Sequence, residues 1–258
     1  MADFRLRVTY AETGRLVMLS HLEVARALER AVRRADLPYA VSQGFSPHMK
    51  LAFGAALPVG VGGASEVFDV ALTDYVAPER ALSQLQAASA ADLMPHAARY
   101  IAKEDAAASV AFPLSTYEAV LRRADGGDAY AAACALRVPD EVRVVRKKKE
   151  KVLRPQDFLV SGLFVERVER GAAAGGSRTV GAVDAEAGSV RAHGSVSCGG
   201  EAEAHAGEEA PAALVRFTLE AKPTGSLRPD VLLEHLLAGT GLQATSVMRV
   251  AQREKLEE

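Results

Sequence analysis

Between Phe4 and Ala35 the apolar spacing of this chain switches from every second residue to every third or fourth, which restricts it to folds that lay helices on a sheet. In Phe4-Arg-Leu-Arg-Val-Thr-Tyr10, an extended backbone places Phe4, Leu6, Val8 and Tyr10 on one face and Arg5, Arg7 and Thr9 on the other. Thr13-Gly14 predicts a turn. Ser20 followed by Glu23 has the capping-box spacing, in which hydroxyl and carboxylate each satisfy an orphan amide at a helix start. The helix opened there runs from about His21 to Ala35. Ala25, Leu28, Val32 and Ala35 share one face, Arg26, Arg30, Arg33 and Arg34 occupy the other, and Leu37-Pro38 ends it.

Extended chain follows at Tyr39 to Ser42 and Met49 to Phe53, bent at Gly44 and Pro47 of the loop between them. Glu66 to Leu72 reads as a strand, Pro78 opens a helix through about Ala88, and a strand returns near Ala97 to Ala102. A similar order begins again with a strand at Thr116 to Arg122, a short helix from Asp128 to Leu136 and a strand at Val142 to Arg146. It resumes with a strand at Leu214 to Leu219, a helix from Pro229 stopped by Gly239, and a strand near Thr245 to Val250. The expected fold is α+β: tandem ferredoxin-like (βαββαβ) halves with antiparallel sheets, divided as residues 1–108 and 109–258. Segment 171–212 is dominated by Gly, Ala, Ser and Glu, and it has too few large apolar side chains to offset the entropy of ordering. It is expected to be a flexible insertion in the second half.

Composition narrows the function classes. The 31 Lys and Arg against 33 Asp and Glu leave a formal charge of −2, so no molecule-wide basic field attracts nucleic acid and any polyanion site must be local. Cys134 and Cys198 have no partner at metal-ligand spacing, which points to a reduced compartment and to no cofactor held by cysteine. No signal-peptide pattern and no apolar run long enough to span a bilayer is found, and the expectation is a cytoplasmic protein with no membrane association. A phosphate loop, a GxSxG elbow, an HExxH zinc motif and a dinucleotide glycine fingerprint are all missing, and no metal site or cofactor is expected.

Several segments can carry chemistry, and each has a plainer competitor. Arg26, Arg30, Arg33 and Arg34 can grip phosphates through paired charge-assisted bonds. Glu29 before Arg33 and Glu23 before Arg26 also fit an ordinary salt-bridged solvent face. The basic run Arg143 to Lys151, with Lys147, Lys148 and Lys149 at its centre, suits either a nucleic-acid backbone or protection of an exposed sheet edge. In the loop Ser42 to Lys50, Gly44 and Pro47 can hold Gln43, Ser46, His48 and Lys50 outward around Phe45, a mixture suited to stacking a base or binding a phosphate. The competitor is a tight connection whose Phe45 plugs the core. His21 and His48 are weak candidates for a general acid/base pair, against the commoner structural or merely exposed histidine.

Arg5-Leu-Arg-Val-Thr-Tyr-Ala-Glu-Thr-Gly-Arg-Leu16, Leu19-Ser-His-Leu22, Ser42-Gln-Gly-Phe-Ser-Pro-His-Met-Lys-Leu-Ala-Phe-Gly54 and Leu57-Pro-Val-Gly60 resemble the radical-SAM-linked family of bacteria, as do Arg146 to Lys151 and Gly225 to Leu233. Members of that family are fused behind a radical SAM protein or encoded beside one. The resemblance implies an accessory protein with a radical SAM protein as partner, and it singles out Ser20, His21, Gln43, Gly44, Phe45, Pro47, His48 and Lys50. The final stretch Met248 to Arg253 departs from the family's pattern, as does the long insertion. This chain also lacks the three clustered cysteines that hold a radical SAM iron–sulfur cluster. Three expectations result: a non-catalytic module that presents RNA to a radical SAM enzyme, an RNA-processing or RNA-modifying enzyme using His21 or His48, and a structural partner without nucleic acid.

Overall fold

The computed structural model describes residues 4–146, 149–168, 197–198 and 212–254. It is a mixed α/β structure with mostly antiparallel sheet, and it divides into two compact units. Unit 1 comprises Met1–Tyr117, Glu220–Asp230 and Val247–Glu258, and unit 2 comprises Glu118–Leu219 and Val231–Ser246.

In unit 1, β1 (Phe4–Glu12) is the inner strand, because period-two alternation gives it one face that must be buried. Two further strands, β3 (Gly62–Leu72) and β4 (Leu93–Ile101), pair antiparallel with its two edges. Short β2 (Leu51–Phe53) pairs antiparallel with β3 at Phe68 to Val70, and β11 (Leu242–Arg253) joins β3 in parallel at Gly62 and Gly63. Helices α1 (His21–Arg34) and α2 (Pro78–Ala88) cover one face, where Leu6, Val8, Leu28, Val32, Phe68 and Leu85 form the core, and the short α3 (Ala108–Ala111) follows β4. The expected Pro78 start of α2 and its end at Ala88 match the structure.

The stripe that α1 buries differs slightly from expectation. Val24, Leu28, Ala31 and Val32 are buried and Ala25 only half so, because the larger Val24 takes the place in the stripe assigned to Ala25. Just past the helix, Asp36 adopts φ 51°, a left-handed stop one residue before the expected Leu37-Pro38 signal.

Unit 2 contains parts of β5 (Leu114–Arg123), β10 (Ala212–Glu220) and β11, together with α4 (Ala129–Cys134), β8 (Phe164–Val168) and most of α5 (Pro229–Leu237). Its strands run in the order β11-β5-β10-β8, and β9 (Ser197–Cys198) lies parallel to β8. Asp128 caps α4 as expected, its side chain accepting from the amides of Tyr130 and Ala131. One expected strand is placed differently. β6 (Val142–Arg146) pairs only with β7 (Lys149–Leu153) in a separate two-stranded sheet, and the strand beside β10 is β8. The basic side chains of that run suit a separate hairpin, whereas β8 has Val165 buried against β10. Of the segment 171–212, expected as a flexible insertion, residues 171–196 and 199–211 lie outside the described residues, and Ala212 belongs to β10.

The second face of the unit 1 sheet, which carries Arg5 and Arg7, buries an ion pair. Arg7 and Asp69 stand opposite each other on β1 and β3, 4% and 3% exposed, joined by two bonds of 2.7 and 3.0 Å. The Asp69 carboxylate also accepts from Arg5 and from the Ala108 amide, while Arg7 donates to the Ala106 carbonyl and lies over the Phe112 ring. Burial opposes ionisation of Asp69. The bonds from Arg7, Ala108 and Arg5 overcome it and hold the carboxyl below the usual carboxylate range. A carboxyl depressed in the folded state contributes stability that is present above its unfolded pKa and lost as pH falls through the folded value. In urea denaturation, stability of the native chain should therefore fall more steeply below about pH 4 than that of Asp69→Asn.

Candidate functional site

The helix-covered face of β1 carries a charge at its end. Tyr10 and Glu12 continue the parity of Leu6 and Val8, so the pleat turns both side chains toward the core. Directly across from Tyr10 on β3 is Glu66, on the same parity as Phe68 and Val70. Register shifts mark this place on both sides of β1: Tyr10 pairs with Glu66 but Glu12 with Gly63, and Thr9 pairs with Ala97 but Tyr10 with Pro95. Such irregularities re-aim side chains and recur beside functional sites.

Glu66 is neutralised by Arg249 of β11, which is 1% exposed. Arg249 Nε donates to Glu66 Oε1 at 2.8 Å, its Nη2 donates to Glu66 Oε2, and Nη2 also donates to the Ala55 carbonyl at 2.6 Å. The two β3 residues that pair with β11 are glycines whose surroundings are filled by side chains. A Cβ on Gly62 would collide with the Met248 sulfur, and one on Gly63 would collide with the Glu66 side chain.

A narrow cleft opens beside this pair, lined by Tyr10, Glu12, His21, Phe53, the 54–57 segment and Glu66. The His21 ring stands edge-on to Phe53, with centroids 5.5 Å apart. Glu12 is 4% exposed and Tyr10 5%, yet neither the Glu12 carboxyl nor the Tyr10 hydroxyl makes a hydrogen bond to any described residue. Burial and then the neighbouring Glu66 push Glu12 up to about 7, with Arg249 pulling the other way. Burial, Glu66 and Glu12 likewise raise Tyr10, keeping its hydroxyl protonated. The cleft therefore presents a hydroxyl donor, a carboxyl that changes charge near neutrality and an imidazole. Among the described residues, no group of His, Cys, Asp and Glu side chains is arranged to hold a metal ion.

The residues expected from the sequence occupy unit 1 differently. Ser20 and Glu23 form the capping contacts: the Glu23 carboxylate accepts from the Ser20 amide at 2.8 Å and from its hydroxyl at 2.7 Å, which lowers the carboxyl's pKa. Glu29 pairs with Arg33, whose guanidinium lies over the Tyr39 ring, and Arg34 donates to the Ala88 carbonyl. Arg26 and Arg30 are exposed and have no ion pair among the described residues.

Loop residues 42–48 are closed at the base by the Val41–Met49 bridge and by the Ser42 amide donating to the His48 carbonyl. The Ser42 hydroxyl accepts from the His48 amide at 3.1 Å and lies 2.8 Å from His48 Nδ1. Gly44 takes φ 140°, which a side chain would strain. Gln43, Ser46, Pro47, His48 and Lys50 are all exposed, and Phe45 at 113% is entirely so. The alternative in which Phe45 plugs the core is thereby excluded. His21 faces Phe53 and His48 bonds Ser42, so these histidines do not form a pair. Lys147 and Lys148 lie outside the described residues, and Lys149 is described only by its backbone pairing with Arg146.

Tyr10, Glu12, Glu66 and Arg249 were not among the expected site residues. The available signal was parity, since Glu12 and Glu66 are charges at positions where the alternation calls for apolar residues.

A family profile described as an uncharacterized protein conserved in bacteria (DUF2344) matches residues 5–161. No curated protein matches the chain. No helix among the described residues is long and apolar enough to cross a membrane.

Two outcomes test the cleft. Because Glu12 is raised, the stability it contributes is present below the unfolded carboxylate pKa of about 4.3 and lost as pH rises through its folded value. In urea melts, Glu12→Gln should therefore be more stable than the native chain at pH above about 8 and no more stable at about pH 4. Glu66→Gln leaves Arg249 buried without its counter-charge and should lose about 3–5 kcal/mol by the same measurement.

Proposed function

The chain belongs to this uncharacterized bacterial family, and we propose that it is a non-catalytic accessory module that presents RNA to a radical SAM partner. The observation that carries the reading is the Phe45 ring, fully exposed at 113% on a loop held shut by Ser42 and His48. Leaving a Phe in water forgoes roughly 1.5–3 kcal/mol of burial, and a flat ring on a closed loop supplies a stacking platform of comparable worth to a base. Lys50 just past the loop and Arg26 and Arg30 on α1 are exposed and form no ion pair among the described residues, so the phosphate contacts can be local while the whole chain stays slightly acidic. The motifs resembling the radical-SAM-linked family include this loop.

The fold reading that accompanies this proposal is a tandem of ferredoxin-like halves. In its favour, unit 1 runs β1-α1-β2-β3-α2-β4 with strand order β4-β1-β3-β2. Unit 2 runs β5-α4-β8-β10-α5-β11 with order β11-β5-β10-β8 once the β6/β7 hairpin is set aside. A second functional reading, an RNA-processing or RNA-modifying enzyme, has His21 in its favour, since that ring lines the cleft holding the unbonded Glu12 carboxyl.

Fluorescence anisotropy of the full chain with a single-stranded RNA oligomer discriminates among the readings. Phe45→Ala should weaken binding by roughly 5- to 100-fold, the range set by one stacked base. Arg30→Glu should reduce the dependence of log affinity on log salt by about 0.7 for each phosphate no longer neutralised. RNA retention unchanged in both variants disposes of the RNA-presenting reading. RNA that emerges chemically altered after incubation with the chain alone favours the enzyme.

A further inference from the structure

We propose that the cleft at the end of β1 is a binding site for a protonated primary amine, its ammonium head held by the Glu12 carboxylate and the Tyr10 hydroxyl oxygen. This site shares none of the residues on which the RNA reading rests, so each can fail without the other.

The cleft is built from side chains that have no other polar partner. Glu12 and Tyr10 are nearly fully buried, line the space, and make no hydrogen bond to any described residue. Neither group's oxygens are among the fully buried atoms left without a partner, so they meet water in the cleft, and a ligand that enters takes the place of that water. The sign of that ligand follows from the surrounding charges. Facing Glu12 are Tyr10 from its own strand, His21 from α1, Glu66 from β3 and Arg249 from β11, while its neighbour on β4 is Leu93. Arg249 is committed to Glu66, the Ala55 carbonyl and Tyr117, so this pair is neutral as a unit. An ionised Glu12 is then the uncompensated charge of the cleft, and only a cation balances it.

Size and shape make the choice sharper. The interior is about 10 Å³, the room for a single water, which admits an ammonium head of the same dimensions and refuses a quaternary one. The exposed Ala55 and Ala56 stand at the mouth, where an aliphatic stem can leave the site.

Occupancy is linked to protons. Glu12 changes charge at about 7, so a cation that needs its ionised form binds more weakly in acid and displaces up to one proton on entering. Isothermal titration calorimetry of the full chain with n-butylammonium should give saturable one-site binding, about tenfold tighter at about pH 8 than at about pH 6. Proton release should appear as a buffer-dependent heat at the lower pH. Tetramethylammonium should not bind. Glu12→Gln should abolish binding, Tyr10→Phe should weaken it about tenfold, and Arg30→Glu should leave it intact.

Spermidine and Nα-acetyl-lysine amide, whose side-chain amine is free, identify the source of the amine. Tighter binding of the first indicates a free polyamine, tighter binding of the second a lysine side chain, and either supports the site. Absence of saturable binding to the native chain at the higher pH overturns the proposal. So does butylammonium affinity that is independent of pH, or tetramethylammonium binding as tight as butylammonium. The pH series on the native chain decides the matter even if Glu12→Gln fails to fold.

Discussion

The Arg249–Glu66 pair is the constraint around which unit 1 is arranged. Its partners are separated by 183 residues in sequence, and each is almost wholly buried, so neither charge is tolerable until the last strand has docked beside β3. A buried ion pair contributes little net stability compared with a well-packed apolar pair, because desolvation consumes most of the attraction. What it supplies is selectivity. A parallel docking of β11 shifted by one residue would turn Arg249 to the other face and leave Glu66 alone in the core, at a cost far above that of removing one buried methyl group.

That constraint extends to the neighbouring residues. Gly62 and Gly63 are side-chain-free because Met248 and Glu66 occupy the space that a Cβ would take. The pairing of β1 slips against both neighbours around Tyr10, and the slip aims Tyr10 and Glu12 at the cleft rather than at each other. With Arg249 spent on Glu66, nothing remains to neutralise Glu12, and its carboxyl is left poised between two charge states. The chemical character of the cleft is thus a consequence of how the strand order is fixed.

Much of unit 1 was legible in the sequence because its signals are local. The capping box at Ser20 and Glu23, the Pro78 start of α2 and the alternation of β1 each depend on residues within a turn or a strand, and each is found where the pattern places it. Pairing was less legible. Val142 to Arg146 has the composition of a strand but nothing in it says that its partner is Lys149 to Leu153, while β8 carries too short an alternation to stand out. The cleft was hidden for a different reason. Glu12 and Glu66 stand at the ends of apolar alternations, where a charge reads as the point at which the buried stripe stops rather than as part of it. Arg249 was hidden further, lying in the stretch Met248 to Arg253 that departs from the pattern expected of the radical-SAM-linked family.

The polar features of unit 1 fall into two kinds, and the difference is physical. Arg26, Arg30, Lys50 and Phe45 are exposed, so solvent and salt screen the charges and a partner gains from them only in number, as a polyanion does. Tyr10 and Glu12 are enclosed, so one well-placed charge there is worth more than several on the surface, and a single small group suffices to complete them. The exposed set therefore suits a long ligand read weakly at many points, and the enclosed set a short one read strongly at one. Because the enclosed carboxyl changes charge near neutrality, acidification within the neutral range alters the second kind of recognition through a single group.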